Sequence, residues 1–412
     1  MHPSVPAIPQ KPEVKTFKTT RVASIDILRG LTIFVMVFVN DVAGVSDIPA
    51  WMKHIPPGEN GMTFVDVVFP AFLFIVGMAI PLSLNKRLEK GDSNWQIWQH
   101  ILIRAAALIV LGVLMINGES INPEATGMSK ELWNSLMFLS VILVWNKYPE
   151  AEGRRKNWFV ALRWIGIITL VILIAIYRRG DAATGITWMR PEWWGILGLI
   201  GWAYLTATAV YWAFRKSIYA VAGVFVALVI LNAVDKADVS IMNITEFIGL
   251  VLYPIQDGAH ASITLAGVIT TMLFLKNSPV QSVRDRLVAV LVFALAMTAG
   301  GYFLAPLGIS KIGATPTWCF YSAAICCALF AFLYWLVDIK EVSRWADFLK
   351  PAAVNPLLTY ILPFIYYHAI GTGYLGSYWR TGVQGILWSI MFSLIILGIA
   401  AILTRWRIRL QL

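Results

Sequence analysis

The residues able to do chemistry are few, and they sit at the edges of apolar runs. His54 stands in the polar stretch AWMKHIPPGENGMTFVD, and Asp66 follows twelve residues later, where the next apolar run begins. A neutral imidazole near pH 7 can take a proton from an amine or hydroxyl, or can itself attack an activated acyl group. A carboxylate beside it can orient the ring and stabilise the imidazolium, as a triad carboxylate does. Each residue also has a plainer reading: a solvated loop histidine, and a helix-start carboxylate satisfied by free backbone N–H groups. Asn40, which follows a purely apolar run, can hydrogen-bond an acyl carbonyl or the histidine, or can simply finish a helix.

Asp26 and Arg29 are three residues apart and share one face of a helix. They suit a structural ion pair; alternatively Arg29 meets a phosphate. Asp257 and His260, in YPIQDGAHASITLAG, form a second polar cluster suited to binding a substrate. Asn355 lies between Pro351 and Pro356, where a broken helix frees backbone groups that a ligand or side chain must satisfy. Trp318, in KIGATPTWCFYS, is either an interfacial anchor or a surface on which a sugar or adenine stacks. His100 and His368 read as structural, and Cys319, Cys326 and Cys327 as small hydrophobes. No metal-ligand spacing, phosphate loop, dinucleotide fingerprint or nucleophile elbow is present in the sequence.

These side chains must be positioned by membrane helices. The 412 residues are 58% hydrophobic and only 14% charged, with a mean hydropathy of +0.70; soluble domains carry about 25% charge. The fold class is therefore all-α, a polytopic integral membrane bundle. Twelve apolar runs are long enough to be candidate spans, with ten to twelve as the working range: 25–44, 64–84, 98–117, 130–146, 159–177, 193–213, 217–233, 259–275, 286–306, 315–337, 354–371 and 382–403. The weakest are 130–146, which is short, and 217–233 and 354–371, which suit re-entrant or broken helices.

Basic residues are concentrated in alternate loops, including Lys86, Arg87 and Lys90, then Arg154 and Arg155, then Arg405, Arg407 and Arg409. That alternation places both termini in the cytoplasm and the His54 loop outside. It also explains the net charge of +10 without nucleic acid. Arg178, Arg179 and Arg190 form the one discordant outer cluster. The segment EFIGLVLYP, within the 234–258 loop, is expected to lie in the interface. No cleavable signal peptide is expected, so the first helix acts as a signal anchor. The organisation is a cytoplasmic tail over 1–24, one transmembrane domain over 25–403 and a basic cytoplasmic tail over 404–412.

The stretches RVASIDILRGLTIFVMVFVN, TFVDVVFPAFLFIVG, YPIQDGAHASITLAGV, GISKIGATPTWCFYSAA and NPLLTY, taken in this order, resemble the heparan-alpha-glucosaminide N-acetyltransferase family. The resemblance implies a transmembrane acyltransferase domain, acetyl-CoA as donor and an amine acceptor on the outer face. It also implies an essential histidine, here His54, flanked by Asn40 and Asp66. Arg29, Asp26, Asn355 and Trp318 are the corresponding expectations for the donor, and His260 and Asp257 for the acceptor. The chain is expected to lack the large luminal N-terminal domain of the lysosomal enzyme, which favours an envelope glycan or free amino sugar over heparan sulfate. Membrane lipid, acetyl-CoA and the acceptor are the expected partners, with a homodimer a further one and the bacterial inner membrane the expected location. Two other readings stand beside this one: a secondary transporter of a sugar-like solute, and an O-acyltransferase of an envelope polysaccharide.

Overall fold

A computed structural model of the chain describes residues 22–181, 183–237, 257–275, 277–371 and 376–411. The expected cytoplasmic tail (apart from its last residues) and the EFIGLVLYP segment lie outside these. The described residues contain twelve helices of fourteen residues or more, each overlapping one of the expected runs. We number them α1 (Ala23–Val42), α2 (Val65–Glu89), α3 (Asn94–Glu119), α4 (Lys130–Trp145), α5 (Gly153–Ile176), α6 (Gly195–Phe214), α7 (Ile218–Lys236), α8 (Ala259–Met272), α9 (Val283–Phe303), α10 (Pro316–Leu333), α11 (Pro356–Ala369) and α12 (Gly382–Arg405).

A count of twelve spans is not confirmed among the described residues. Nine of the described helices are long and apolar enough to cross a membrane, or ten if one bent pair forms a single span. The shortfall is one of length: α4 has 16 residues and α8 has 14, against the roughly 20 needed for a hydrocarbon core of about 30 Å. The bent pair is Arg344–Val354 with α11, angled by 77° at Asn355. The run at 354–371 is therefore broken where proline follows Asn355, whereas 217–233 is one continuous helix.

Local sequence sets the helix ends. Ser93 opens α3 with a capping box to Gln96, and Ser129, Ser217 and Ser282 accept N-terminal N–H bonds at α4, α7 and α9. Buried hydroxyls turn back on their own helix, as Thr264 does to the His260 carbonyl at 2.9 Å and Thr270 to Ala266 at 2.8 Å. A polar group at membrane depth is satisfied in this way without an external partner.

The centre of the bundle is the α2–α8 contact. Every residue of α8 is buried, and α2 is 72% buried over its apolar window against 17% for the peripheral α5. Two glycines allow the approach: a side chain on Gly77 would strike the backbone of Thr264, and one on Gly267 the backbone of Phe74. The discordant arginines of the α5–α6 connection stitch loops together. Arg178 donates to the Ala175 and Tyr177 carbonyls, and Arg179 pairs with Glu192 and bridges to Thr187.

Candidate functional site

His54 is held by a loop pinned at both sides. Gly61 donates to the Ile309 carbonyl at 2.9 Å, the Ile309 N–H donates to Asn60 Oδ1 at 2.7 Å, and Thr63 Oγ1 donates to the Lys53 carbonyl at 2.8 Å. The loop between α1 and α2 is thus docked on the loop between α9 and α10. Its result is a short contact: His54 Nδ1 lies 2.6 Å from Asp66 Oδ1. The other carboxylate oxygen accepts from the Thr63 backbone N–H at 3.0 Å and the Thr63 hydroxyl at 3.3 Å. An ionised carboxylate only accepts, so Nδ1 carries the proton and Nε2 presents its lone pair. The Asp66 side chain is 3% exposed and that of His54 39%, so the pair has one anchored partner and one that meets the outside.

The backbone of Asp66 is fixed by a second device. A helical carbonyl normally accepts from the residue four positions later, which here is Pro70 and has no N–H. The indole of the fully buried Trp318 supplies the missing donor, 3.0 Å from the Asp66 carbonyl oxygen. Its ring also meets His260 edge-on, with centroids 6.2 Å apart, and His260 meets Phe69 at 5.6 Å. Trp318 therefore positions the carboxylate from beneath and leaves no open face for a base to stack on.

Lys311 completes the group. Its Nζ lies 3.3 Å from His54 Nε2 and 3.4 Å from Nδ1, against the ring and not in line with one nitrogen. Burial pushes the Lys311 ammonium below the ordinary lysine range, and the Asp66 carboxylate opposes part of that shift.

The remaining expected residues are dispersed. Asn40 is exposed near the end of α1 and shares no hydrogen bond with His54. Its neighbour Asp41 is the buried one, accepting from Tyr367 at 2.7 Å, Arg380 at 3.0 Å and Ser389 at 2.7 Å. Asp26 and Arg29 form the structural pair at 2.9 Å, and Arg29 also reaches the Ala353 carbonyl at 3.4 Å. Asn355 is fully buried and tied to the chain end, donating to Thr404 Oγ1 and the Ile408 carbonyl and accepting from the Leu410 N–H. Asp257 accepts from Lys236 at 3.1 Å and Asn232 at 3.3 Å, with His260 Nδ1 3.8 Å away. His260 Nδ1 and Asn232 Oδ1 are buried with no hydrogen-bond partner.

Two cavities flank α1 and α2, and charge distinguishes them. A groove of about 590 Å³, bordered by Leu31, Val35, Val67, Ala71 and Leu329, has no charged residue in its lining. A cavity of about 350 Å³ opens among Ser83, Arg87, His100 and Arg104 at the Arg29 end of the bundle and runs inward to Met36, Phe72 and Val76. Arg104 Nε is buried there without a partner, while its guanidinium lies 4.9 Å from the Tyr204 ring centroid. Phe72 is six residues from Asp66 on α2, about 9 Å along the axis. Among the described residues no cluster suits a metal ion.

The sequence profile of a domain of unknown function, DUF5009, matches residues 21–254, more than half of the chain. The chain belongs to the DUF5009 family. It is also similar to the heparan-alpha-glucosaminide N-acetyltransferase of Mus musculus, with 37% identity over 108 residues, 26% of this chain and 16% of that protein. For the Homo sapiens protein of the same name the identity is 38% over 98 residues, 24% of this chain and 14% of the relative. The matched part of this DUF5009 chain thus spans less than a fifth of either relative's length.

Three groups in this DUF5009 protein escaped the sequence reading. Lys311 lies 257 residues from its contact with His54. Arg87 and Arg104 read as inner-face charges and His100 as structural, though the spacing of four along α3 places His100 and Arg104 on one face. Asp41 was the buried choice in a pair where Asn40 was the expected one.

Proposed function

We propose that this protein is a transmembrane acetyltransferase that moves acetyl from acetyl-CoA to the amine of an amino sugar or glycan at the face where His54 lies. The observation that carries the reading is the 2.6 Å contact between His54 Nδ1 and Asp66. It leaves Nε2 as a base, or as a nucleophile, on a partly exposed ring. The similarity to N-acetyltransferases selects acyl transfer among the reactions such a pair serves.

The donor fits the charged cavity. Arg87, Arg104 and His100 offer cationic or hydrogen-bonding groups to the phosphates of a nucleotide, and the unpartnered Arg104 Nε is a donor awaiting an acceptor. The apolar walls at Ile33, Met36 and Phe72 suit a pantetheine arm directed toward Asp66. These residues replace Arg29, Asp26, Asn355 and Trp318 as the expected donor contacts. The acceptor approaches His54 from the opposite face, with the polar cluster of Asp257 and His260 behind Trp318 as a second contact region. The alternation of basic loops supports assigning that face to the outside of the cytoplasm, and a bacterial inner membrane is the location this reading adopts.

In the direct route, Nε2 takes a proton from the acceptor amine as its nitrogen attacks the thioester carbonyl. The C–S bond breaks and the CoA thiolate leaves. In the covalent route, Nε2 attacks the thioester carbonyl first and the C–S bond breaks to release the CoA thiolate. The acceptor amine then displaces the imidazole from the acetyl carbon and gives up its proton to Nε2. The test is reconstitution in vesicles with radiolabelled acetyl-CoA on the Arg29 side and glucosamine on the other. Labelled N-acetyl product that disappears in His54→Ala supports the reading. Proton-coupled solute uptake without any CoA requirement, retained in His54→Ala, replaces it with transport; labelled ester on a hydroxyl acceptor replaces it with O-acylation. Rapid-quench trapping of label on His54 separates the two routes.

A further inference from the structure

The reaction just described makes no use of Lys311, yet its amine lies beside the imidazole that an acceptor amine must reach. Asp66 already engages His54 Nδ1 at 2.6 Å, so the open acceptor on the ring is Nε2, and Lys311 Nζ lies 3.3 Å from it. Nζ is nearly as close to Nδ1, at 3.4 Å, so it rests against the ring. Rotation about the lysine's own side-chain bonds brings it in line with the Nε2 lone pair, where general-base N-acylation begins, and such contacts are loose in unliganded sites. Lys311 lies in the loop after α9 and is half-buried between the His54 loop and the start of α10, so its amine is held at the site.

We propose that Lys311 is a self-acetylation site, modified when acetyl-CoA is bound and no acceptor is present. The inference rests on the acetyl-transfer reading. His54 Nε2 removes a proton from the Lys311 ammonium, and the freed nitrogen forms an N–C bond at the thioester carbonyl. The C–S bond breaks, and the departing thiolate takes the second proton that the nitrogen sheds. The proton on His54 is released to water, leaving acetyl-lysine and CoA thiol. Burial of Lys311 assists, because it lowers the hold of the amine on its proton. The modified side chain has lost its charge and carries a neutral amide against the ring. An external amine is then denied Nε2, so acceptor protects the enzyme and its absence silences it.

The experiment incubates the full-length protein in nanodiscs with radiolabelled acetyl-CoA, with and without glucosamine, and maps acetylation by peptide mass spectrometry. The expected result is one acetyl group per chain at Lys311, seen also as lost tryptic cleavage there, absent in Lys311→Arg and retained in Lys53→Arg. His54→Gln slows the labelling by about a hundredfold, and glucosamine suppresses it. The proposal is overturned if the same preparation acetylates glucosamine when it is supplied but leaves Lys311 unlabelled when glucosamine is omitted. It is overturned equally if Lys53 and other lysines acquire label as fast as Lys311, or if His54→Gln makes no difference. Label on neither glucosamine nor the chain overturns the acetyl-transfer reading itself, and this inference with it.

Discussion

The indole N–H of Trp318 donates to the Asp66 carbonyl oxygen that Pro70 cannot serve, so α10 completes the first turn of α2 across 252 residues of sequence. The proline that breaks the hydrogen-bond ladder and the tryptophan that repairs it together set the direction of the Asp66 carboxylate. Trp318→Phe keeps most of the ring but leaves that buried carbonyl unpaired, at a cost of about 1–3 kcal/mol. Thermal unfolding in detergent should show this loss, accompanied by a lower kcat. In a Pro70→Ala background the helix can supply its own N–H, and the same substitution should cost measurably less. Equal costs in both backgrounds would mean the two residues act independently.

Asp66→Asn tests the pair directly. An amide N–H facing Nδ1 moves the imidazole proton to Nε2 and removes the base, with little change in shape. The expected outcome is a fall in kcat of about 10²- to 10⁴-fold with the KM for acetyl-CoA unchanged, because the charged cavity lies elsewhere. A variant that keeps half of its activity would rule out the pair as the proton acceptor.

The donor site is tested at Arg104 and Arg87. Arg104→Gln removes a charge-assisted contact worth about 1.5–3 kcal/mol, so the Kd for acetyl-CoA should rise roughly 10- to 150-fold with kcat at saturation little altered. Val35→Trp, which obstructs the uncharged groove, is the control and should leave donor binding intact. Calorimetric titration reads both variants. Weaker binding in Val35→Trp alone would move the donor to the groove.

Asp41 makes a stability prediction. Its side chain is 1% exposed, and Arg380 is the cation that neutralises it. Arg380→Met strands a buried carboxylate, and breaking such a pair costs about 3–5 kcal/mol. Adding Asp41→Asn should restore part of that loss, since the stranded charge disappears, the amide oxygen still accepts from one of the two hydroxyls of Tyr367 and Ser389, and the amide N–H can donate to the oxygen of the other. A double variant no more stable than Arg380→Met would show that the arginine acts through packing instead.

Sequence made the helices legible because a bilayer demands about 20 apolar residues per span, and that demand is local. Where tertiary contact supplies the burial, at the 14-residue α8, a shorter apolar helix suffices, and a count of twelve is not confirmed among the described residues. The His54–Asp66 pair was visible as residue types twelve positions apart in one loop and helix start. The choice between Asn40 and Asp41 was not, because neighbours on a helix differ by about 100° in direction and the buried face is set by α11 and α12. Arg87 and Arg104 were masked for a related reason, since a cation at a helix end reads as topology until the walls of a cavity are known, and a lone histidine at a helix boundary such as His100 reads as structural. Lys311 and Trp318 reach the site only through the packing of α10 on α2.

The last prediction concerns the stability of the site against pH. Burial lowers the Lys311 pKa in the folded protein relative to the unfolded chain, and Asp66 offsets this only in part. Between the lowered folded value and the ordinary lysine value, the unfolded chain binds more protons than the native state, so stability rises with pH through that window. Below the window the penalty for holding the buried ammonium is fully present, and above it both states are neutral and the penalty is gone. Lys311→Met carries no proton in either state, so its stability relative to the parent should be greatest below the window and should shrink as pH rises. Chemical unfolding of both proteins across the neutral to alkaline range measures the gap. A gap that is flat, or that widens with pH, would mean Lys311 keeps its charge as readily when folded as when unfolded, and that its amine is no more available to accept acetyl than that of a solvated lysine.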